Sequence, residues 1–236
     1  MRLESVARTH VGCRRKTNED AMLVRGGLWA VADGMGGHDA GEVASALIVE
    51  KLAAIPEHPT LAARTAAARA AIEDANRQLW AMAGGAETPR TMGSTVVTLT
   101  AGAEGFDCLW AGDSRAYLAR AGSLEQLTHD HSLVQHLVDS GDLDPASAAN
   151  HPNANIITRA VGTAPLLVID HVGGEILPGD VFLLASDGLT RLIGDEEILR
   201  ALQAADLEAA ADRLVAECLA RNAPDNLTFV ILRASF

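Results

Sequence analysis

Aspartates recur in this sequence beside apolar segments, where a short carboxylate side chain can be held rigidly at a reactive site. Three apolar segments run directly into such a residue, at Asp33-Gly34, Asp113-Ser114 and Asp187-Gly188, and a fourth aspartate, Asp225, precedes the apolar run 227–232. Each segment predicts a buried strand, and the first three predict a turn after it. Hard divalent cations prefer carboxylate and carbonyl oxygens. If these strands are neighbours, the sequence predicts a cluster of four carboxylates that holds metal ions.

The same dipeptides also have a simpler interpretation, because Asp-Gly is common in turns. Any single copy would therefore be interpreted as an ordinary turn. The repetition after buried strands favours the metal site, and glycine after the aspartate would let the chain turn and expose a carbonyl as a further ligand. Asn18-Glu19-Asp20, between two predicted strands, adds carboxylates that would also be a turn if they stood alone.

The elements that must position these residues are strands in blocks, separated by helices. Further strands are expected at 5–12, 21–25, 94–100, 115–120 and 166–177, and helices at 41–55, 60–83, 132–140 and 207–221. Many consecutive strands with short connections favour antiparallel sheets. Helical pairs between the strand blocks favour two packed sheets flanked by helices.

Length and composition suit one large domain with a substantial core. The chain has 236 residues, of which 48% are hydrophobic, and its net charge is −12. The acidic charge argues against nucleic-acid binding, which usually needs a basic face. The first twenty residues are polar, and no apolar run approaches the ~20 residues that span a bilayer. We therefore expect a cytoplasmic protein without a membrane partner.

A set of motifs in a fixed order connects these observations to a known family. The motifs are Arg15-x-x-Asn18-Glu19-Asp20, Asp33-Gly34-Met35-Gly36-Gly37-His38, Gly93-Ser94-Thr95, Gly112-Asp113-Ser114-Arg115, Ser186-Asp187-Gly188 and Asp225-Asn226. Together they span nearly the whole chain, and the set resembles the protein phosphatase 2C family of metal-dependent (PPM-type) phosphatases. The Asp33–His38 form is similar to that of bacterial members, including compact phosphatases of type VI secretion and other kinase loci.

The resemblance implies an α+β fold, a four-layer αββα sandwich of two antiparallel sheets flanked by helices. It implies a single PPM-type domain over 1–236 with a flap subdomain at about 132–156. The implied activity is that of a protein-serine/threonine phosphatase, in which a metal-bridging hydroxide attacks phosphoserine or phosphothreonine without a phosphoenzyme. The implied partners are a phosphorylated protein and the bacterial Ser/Thr kinase system that the enzyme reverses, and the chain is expected to act as a monomer.

The resemblance also implies a role for each site residue, with Mn²⁺ or Mg²⁺ as the cofactor. Two core ions would be bridged by Asp33, with the Gly34 carbonyl on one and Asp187 and Asp225 on the other. Glu19 and Asp20 would hold metal-bound waters or act as ligands. Asp113, with Asp187, would bind a third ion. Arg15, a planar and permanently charged side chain, would grip the substrate phosphate.

The sequence departs from eukaryotic relatives at Met35, where they carry a histidine thought to protonate the leaving oxygen. Either a metal-bound water or His38 would have to replace it. His129-Asp130-His131 could be a metal cluster, but the resemblance favours a lead into the flap. Two rival functions remain open: a catalytically silent module that binds phosphoproteins, disfavoured because the metal aspartates are present, and a different metal-dependent hydrolase, such as a nuclease or sugar phosphatase.

Overall fold

The computed structural model of the chain describes residues 2–36, 40–84, 92–148 and 151–235. Within these ranges the strands are β1 Arg2–His10, β2 Asp20–Arg25, β3 Leu28–Gly36, β4 Met92–Ser94, β5 Val96–Gly102, β6 Gly105–Ala111, β7 Arg115–Arg120, β8 Ser123–Gln126, β9 Asp170–Gly174, β10 Val181–Ala185 and β11 Leu227–Ser235. The helices are α1 Ala40–Ala53, α2 Leu61–Met82, α3 Leu133–Asp139, α4 Pro145–Ala148, α5 Asp187–Thr190, α6 Asp195–Leu202 and α7 Leu207–Ala220.

The strands form two antiparallel sheets. One has the order β1-β11-β10-β7-β8, and the other has the order β2-β3-β5-β6-β9 with β4 paired to β3. Most pairings join strands close in sequence, but β11 lies between β1 and β10, so the end of the chain closes the first sheet against its beginning. This confirms the predicted α+β sandwich of two antiparallel sheets.

Three apolar cores hold four layers together. Strand β10 shows why, since Phe182 and Leu184 point into the core between the sheets. Its alternate residues Val181, Leu183 and Ala185 face a second core, where α6 and α7 pack on the first sheet. On the second sheet, α1 and α2 form the third core. Strands buried on both faces have continuous apolar sequences, which is why an apolar run such as that of β10 predicts a strand.

Two expectations about local structure were wrong. Asp33-Gly34 is not a turn, because β3 continues to Gly36 and these residues pair with Asp20 in β2 and Ser94 in β4. The apolar pattern ends at Ala32, but the backbone ladder continues because strands lie on both sides. Asp187 does not sit in a turn either, since it begins the short helix α5.

The segment 132–156, which we call the flap segment, leaves the first sheet after β8 and carries α3 and α4. A β-bridge joins Ser132, its first residue, to Ile157, the residue that directly follows it. The division of 1–236 into one domain with a flap subdomain stays a prediction. In the described part of the chain, no helix is long and apolar enough to cross a membrane.

Candidate metal and phosphate site

The predicted carboxylates meet at one end of the two sheets. Asp20 and Asp33 are directly paired across β2 and β3. The strand end at Ala185 pairs with Arg115 on one side and with Phe229 on the other. This register brings together the three chain segments that carry the remaining aspartates, at 113, 187 and 225. The side chains of Asp33 and Asp187 are close enough to shift each other's pKa.

Burial and mutual repulsion raise the pKa of most of these groups. Burial, followed by the charges of Asp187 and Asp225, raises the pKa of Asp20 to about 7. Burial and the charge of Asp187 raise the pKa of Asp113 to about 7. Burial, and then the charge of Asp20, holds the pKa of Asp33 well above its usual range, and burial also raises that of Asp187. The site is thus an anionic cluster that favours any cation able to enter it.

Two carboxylate oxygens in the cluster are buried without a hydrogen-bond donor from the described residues, Asp20 Oδ1 and Asp113 Oδ1. Buried polar atoms are almost always paired, so such atoms call for an explanation. A bound divalent cation provides one, because it would take these oxygens as ligands and offset the repulsion. Among the described residues no three acidic, histidine or cysteine side chains already surround a common point. Several of the carboxylates instead form ion pairs with arginines.

Arg15 and Arg191 provide these positive charges. Arg15 Nη2 lies 2.9 Å from Asp225 Oδ2, and Nη1 lies 3.6 Å from Glu19 Oε2. Arg191 Nη2 lies 2.9 Å from Asp187 Oδ2 and 3.3 Å from Asp113 Oδ2. Both arginines are partly exposed, so they form the boundary between the anionic cluster and solvent.

Hydroxyl groups fix the backbone and side chains of the central aspartates. Ser186 Oγ donates to Asp20 Oδ2 at 2.9 Å. Asp33 donates its backbone N–H to Thr95 Oγ1 at 3.1 Å, while its carbonyl accepts from Ser94 Oγ at 2.9 Å. Thr95 Oγ1 in turn contacts Ser114 Oγ at 2.6 Å. The segment carrying Asp33 is therefore tied to the one carrying Asp113.

Asn226 secures the loop that carries Arg15 and Glu19. Its Nδ2 donates to the carbonyls of Val11 and Thr17, both at 3.0 Å, and its Oδ1 accepts the backbone N–H of Glu19 at 2.8 Å. Asn226 is buried, so these bonds are shielded from water. The residue next to a predicted ligand thus positions a second chain segment of the site.

Two glycines allow the close backbone approach that the cluster needs. A Cβ at Gly34 would lie 2.0 Å from the Gly41 carbonyl oxygen at the start of α1. Gly112 has φ +121°, and a Cβ there would lie 2.6 Å from Thr95 Cβ. Its N–H donates to His131 Nδ1 at 3.0 Å, which holds the chain just before Asp113. Only glycine fits this combination of dihedral angle and space.

The structure brings together Arg15, Glu19, Asp20, Asp33, Gly34, Asp113, Asp187 and Asp225 from the predicted set. His38 lies outside the described residues. His129, Asp130 and His131 do not converge: they contact Asp139, Arg115 and Asp170 respectively. This arrangement fits the interpretation that they lead into the flap.

Sequence reasoning assigned no role to several residues that organise the site: Arg191, Asn226, Ser186, Ser94 and Thr95. Four of them stand within or beside the quoted motifs, so their position was a usable signal. Arg191 lies four residues after Asp187 on a helical turn, a spacing that brings side chains together. That signal was hidden because the segment was interpreted as a turn.

Comparisons with known proteins agree with this geometry. Residues 3–136 match the family described as Protein phosphatase 2C. The serine/threonine protein phosphatase PstP of Mycobacterium tuberculosis is 37% identical over 232 residues, which are 97% of this chain and 44% of PstP. The chain therefore spans less than half the length of that relative.

Solved structures extend the comparison to the fold. PppA, described as a key regulatory component of the T6SS in Pseudomonas aeruginosa, is 43% identical with a TM-score of 0.89, over 98% of this chain and 97% of PppA. The catalytic domain of PstP in complex with two manganese ions is 36% identical with a TM-score of 0.86, over 99% of each chain. The chain belongs to the protein phosphatase 2C family, as the sequence motifs indicated.

Proposed function

We propose that the chain is a metal-dependent protein-serine/threonine phosphatase that releases phosphate from phosphoserine and phosphothreonine side chains. The observation that carries this proposal is the partly buried aspartate cluster at one end of the sandwich, with its two buried carboxylate oxygens that lack a donor among the described residues. A cluster of this kind is unfavourable by itself and favourable around cations. Similarity to relatives named serine/threonine phosphatases supports the reaction class.

In this proposal each carboxylate has a role toward the ions. Asp33, Asp187 and Asp225, with the Gly34 carbonyl and with Glu19 and Asp20 as ligands or holders of water, would hold two Mn²⁺ or Mg²⁺ ions. Asp113 and Asp187 would hold a third. Bound there, the ions would supply a hydroxide nucleophile from water at neutral pH and positive charge to offset that developing on the phosphate. The solved PstP domain with two manganese ions supports the two-ion part.

In this proposal Arg15 binds the substrate phosphate. Its guanidinium is half-exposed beside Asp225, and Asp225 lies within the predicted ligand set. A guanidinium has five N–H donors, so the contacts to Asp225 and Glu19 leave others for a phosphate. A planar fork of donors matches two phosphate oxygens at once. Arg15 would therefore orient the phosphate while its own charge balances the added anion.

We also infer the substrate, the cellular location and the process in which the chain acts. The substrate would be a phosphorylated protein whose side chain reaches the cluster beside the flap segment, and a Ser/Thr kinase would supply it. We further propose a monomer acting in the cytoplasm, with type VI secretion as a candidate process because of the similarity to PppA. The proton for the leaving oxygen would come either from a metal-bound water or from His38.

The test is hydrolysis of a phosphothreonine peptide by the purified protein with Mn²⁺ or with EDTA. Asp187→Asn removes a ligand while keeping the side-chain shape, and Asp180→Asn is a matched control at the opposite end of β10. We expect Mn²⁺-dependent phosphate release that EDTA and Asp187→Asn abolish and Asp180→Asn retains. Failure of the unaltered protein on several phosphopeptides with both metals would instead favour a silent phosphoprotein-binding module.

A further inference from the structure

One arginine nitrogen occupies an unusual position in the cluster. Arg191 Nη2 lies 2.9 Å from Asp187 Oδ2, 3.3 Å from Asp113 Oδ2 and 3.3 Å from the Ala154 carbonyl oxygen. A guanidinium Nη2 carries two hydrogens, which here donate to Asp113 and to the Ala154 carbonyl, so its contact with Asp187 is an ion pair. Two carboxylate oxygens and a backbone carbonyl are, however, a donor set that hard divalent cations prefer.

The charges are also incompletely balanced around this nitrogen. When both are ionised, Asp113 and Asp187 contribute two negative charges against the single charge of Arg191. Asp113 is buried, and its other oxygen, Oδ1, has no hydrogen-bond donor among the described residues. A divalent ion would supply the missing charge and take the orphaned oxygen as a ligand.

Arg191 can leave this position without unfolding its surroundings. It is the C-cap residue of α5, where it follows the helix. Its side chain is 37% exposed. It also lines a cavity of about 390 Å³ between the cluster and the flap segment, bounded by side chains such as Val134 and Ala154. The guanidinium therefore has space to move into when another cation takes its place.

The geometry points to Arg191 as a built-in competitor for the third divalent ion: its guanidinium stands in for the ion at the Asp113–Asp187 pair and must be displaced for the ion to bind. The inference rests on the proposed function in assigning that pair to a metal. Because the same nitrogen contacts the Ala154 carbonyl, displacement also breaks this tie between the cluster and the flap segment. Arg191 thus lowers the affinity of the third ion site and not of the other two. It also links the occupancy of that site to the contact between Arg191 and the flap segment.

The experiment counts Mn²⁺ ions and their affinities by calorimetry and by electron paramagnetic resonance of free Mn²⁺, without substrate. For Arg191→Gln we expect the weakest ion to bind at least about tenfold more tightly, a typical size for coupling between competing ligands. The two tighter ions should change little. Arg191→Lys keeps a charge but loses the fork, so an intermediate shift is expected, and this variant serves if Arg191→Gln does not fold.

Two controls assign the effect. Arg213→Gln removes another arginine from an i,i+4 ion pair, that with Glu217, far from the cluster, and should leave every Mn²⁺ affinity unchanged. Asp113→Asn should abolish the weakest ion both alone and combined with Arg191→Gln. An unchanged or weakened third ion in both Arg191 variants, or no third ion in any of them, would overturn the inference.

Peptide hydrolysis measured on the same samples separates this inference from the proposed function. An inactive protein with the expected Mn²⁺ shifts would reject the phosphatase and retain the role of Arg191. An active protein whose Mn²⁺ affinities are the same with and without the Arg191 side chain would reject only the proposal that Arg191 competes with the third ion.

Discussion

The two ends of strand β10 carry aspartates with opposite surroundings. Asp180, just before the strand, accepts from Arg120 Nε at 2.8 Å, from Arg120 Nη2 at 2.7 Å and from the Leu177 N–H at 2.7 Å. At the other end, Asp187 lies beside Asp33 and Asp113, and the charges of Arg191 and, more weakly, Arg15 offset theirs only in part. One end is a satisfied ion pair, and the other is a cluster of like charges.

The difference shows how burial serves two purposes in one strand. A buried carboxylate that accepts several hydrogen bonds stabilises the fold, and breaking such a pair leaves an uncompensated charge. Buried carboxylates that face one another with orphaned oxygens cost stability and create affinity for cations. The energetic conflict at the Asp187 end therefore supports the proposed metal site there, while the paired Asp180 end has the contacts of a structural residue.

The largest contrast should come from neutralising one aspartate at each end. Asp33→Asn should lower kcat/KM by about 10³-fold or more, equivalent to ~4 kcal/mol in the barrier. It should leave the metal-free protein as stable as before or more so, because a repelling charge is removed. Asp180→Asn should cost ~1.5–3 kcal/mol of unfolding free energy, reduced by the partial exposure of Arg120, and leave kcat/KM nearly unchanged.

These outcomes are measured by phosphopeptide kinetics and by urea unfolding in EDTA. Equal losses of stability in both variants would contradict the distinction between the two ends.

A second contrast uses one glycine from each end. Gly112→Ala at the site end places a Cβ 2.6 Å from Thr95 Cβ at φ +121°, whereas Gly122→Ala at the far end, at φ +84°, meets nothing within 4 Å. We expect a loss of ~2–4 kcal/mol for Gly112→Ala, because strain and overpacking add. Gly122→Ala should lose ~1 kcal/mol from backbone strain alone.

Thermal unfolding measures both glycine variants, and Mn²⁺ titration follows the third ion, which should weaken only for Gly112→Ala. A similar cost for the two substitutions would mean that the contact with Thr95 relaxes easily.

A pH trend is also expected in the metal-free protein. The pKa values of Asp20 and Asp113 are raised to about 7 in the fold, so the folded state binds more protons than the unfolded state above pH ~4. Stability should therefore fall as the pH rises from about 4 through 7. Each of the two groups contributes roughly 2–3 kcal/mol between pH 5 and 8, so in EDTA the Tm should drop by roughly 10 °C or more, at ~2–4 °C per kcal/mol for a domain of this size.

Scanning calorimetry with EDTA and with Mn²⁺ measures this trend. Mn²⁺ should flatten it, because ions favour the ionised carboxylates. Asp33→Asn should also reduce the slope, and Asp180→Asn should retain it. A Tm that rises with pH in EDTA would show that the cluster is not the main source of the pH dependence.

Much of this arrangement could be predicted from the sequence, because its signals are local patterns of residues. The run Val181–Ala185 predicted a strand buried on both faces, and the aspartates beside such runs predicted a metal site. The order of the motifs indicated the family and, through it, the αββα sandwich. The long helices were placed to within a few residues, whereas β8 and α6 were not anticipated, because short elements carry little periodicity.

The amino-acid sequence by itself determined which residues could bind metal and phosphate, since side-chain chemistry and apolar patterning are local properties. Only the tertiary structure decided how they are held. The pairing of Asp20 with Asp33, the bonds from Asn226 to the loop of Arg15 and the position of Arg191 between Asp113 and Asp187 join segments from different strands. Such contacts depend on how sheets stack and in which register, and no local pattern encodes that geometry directly.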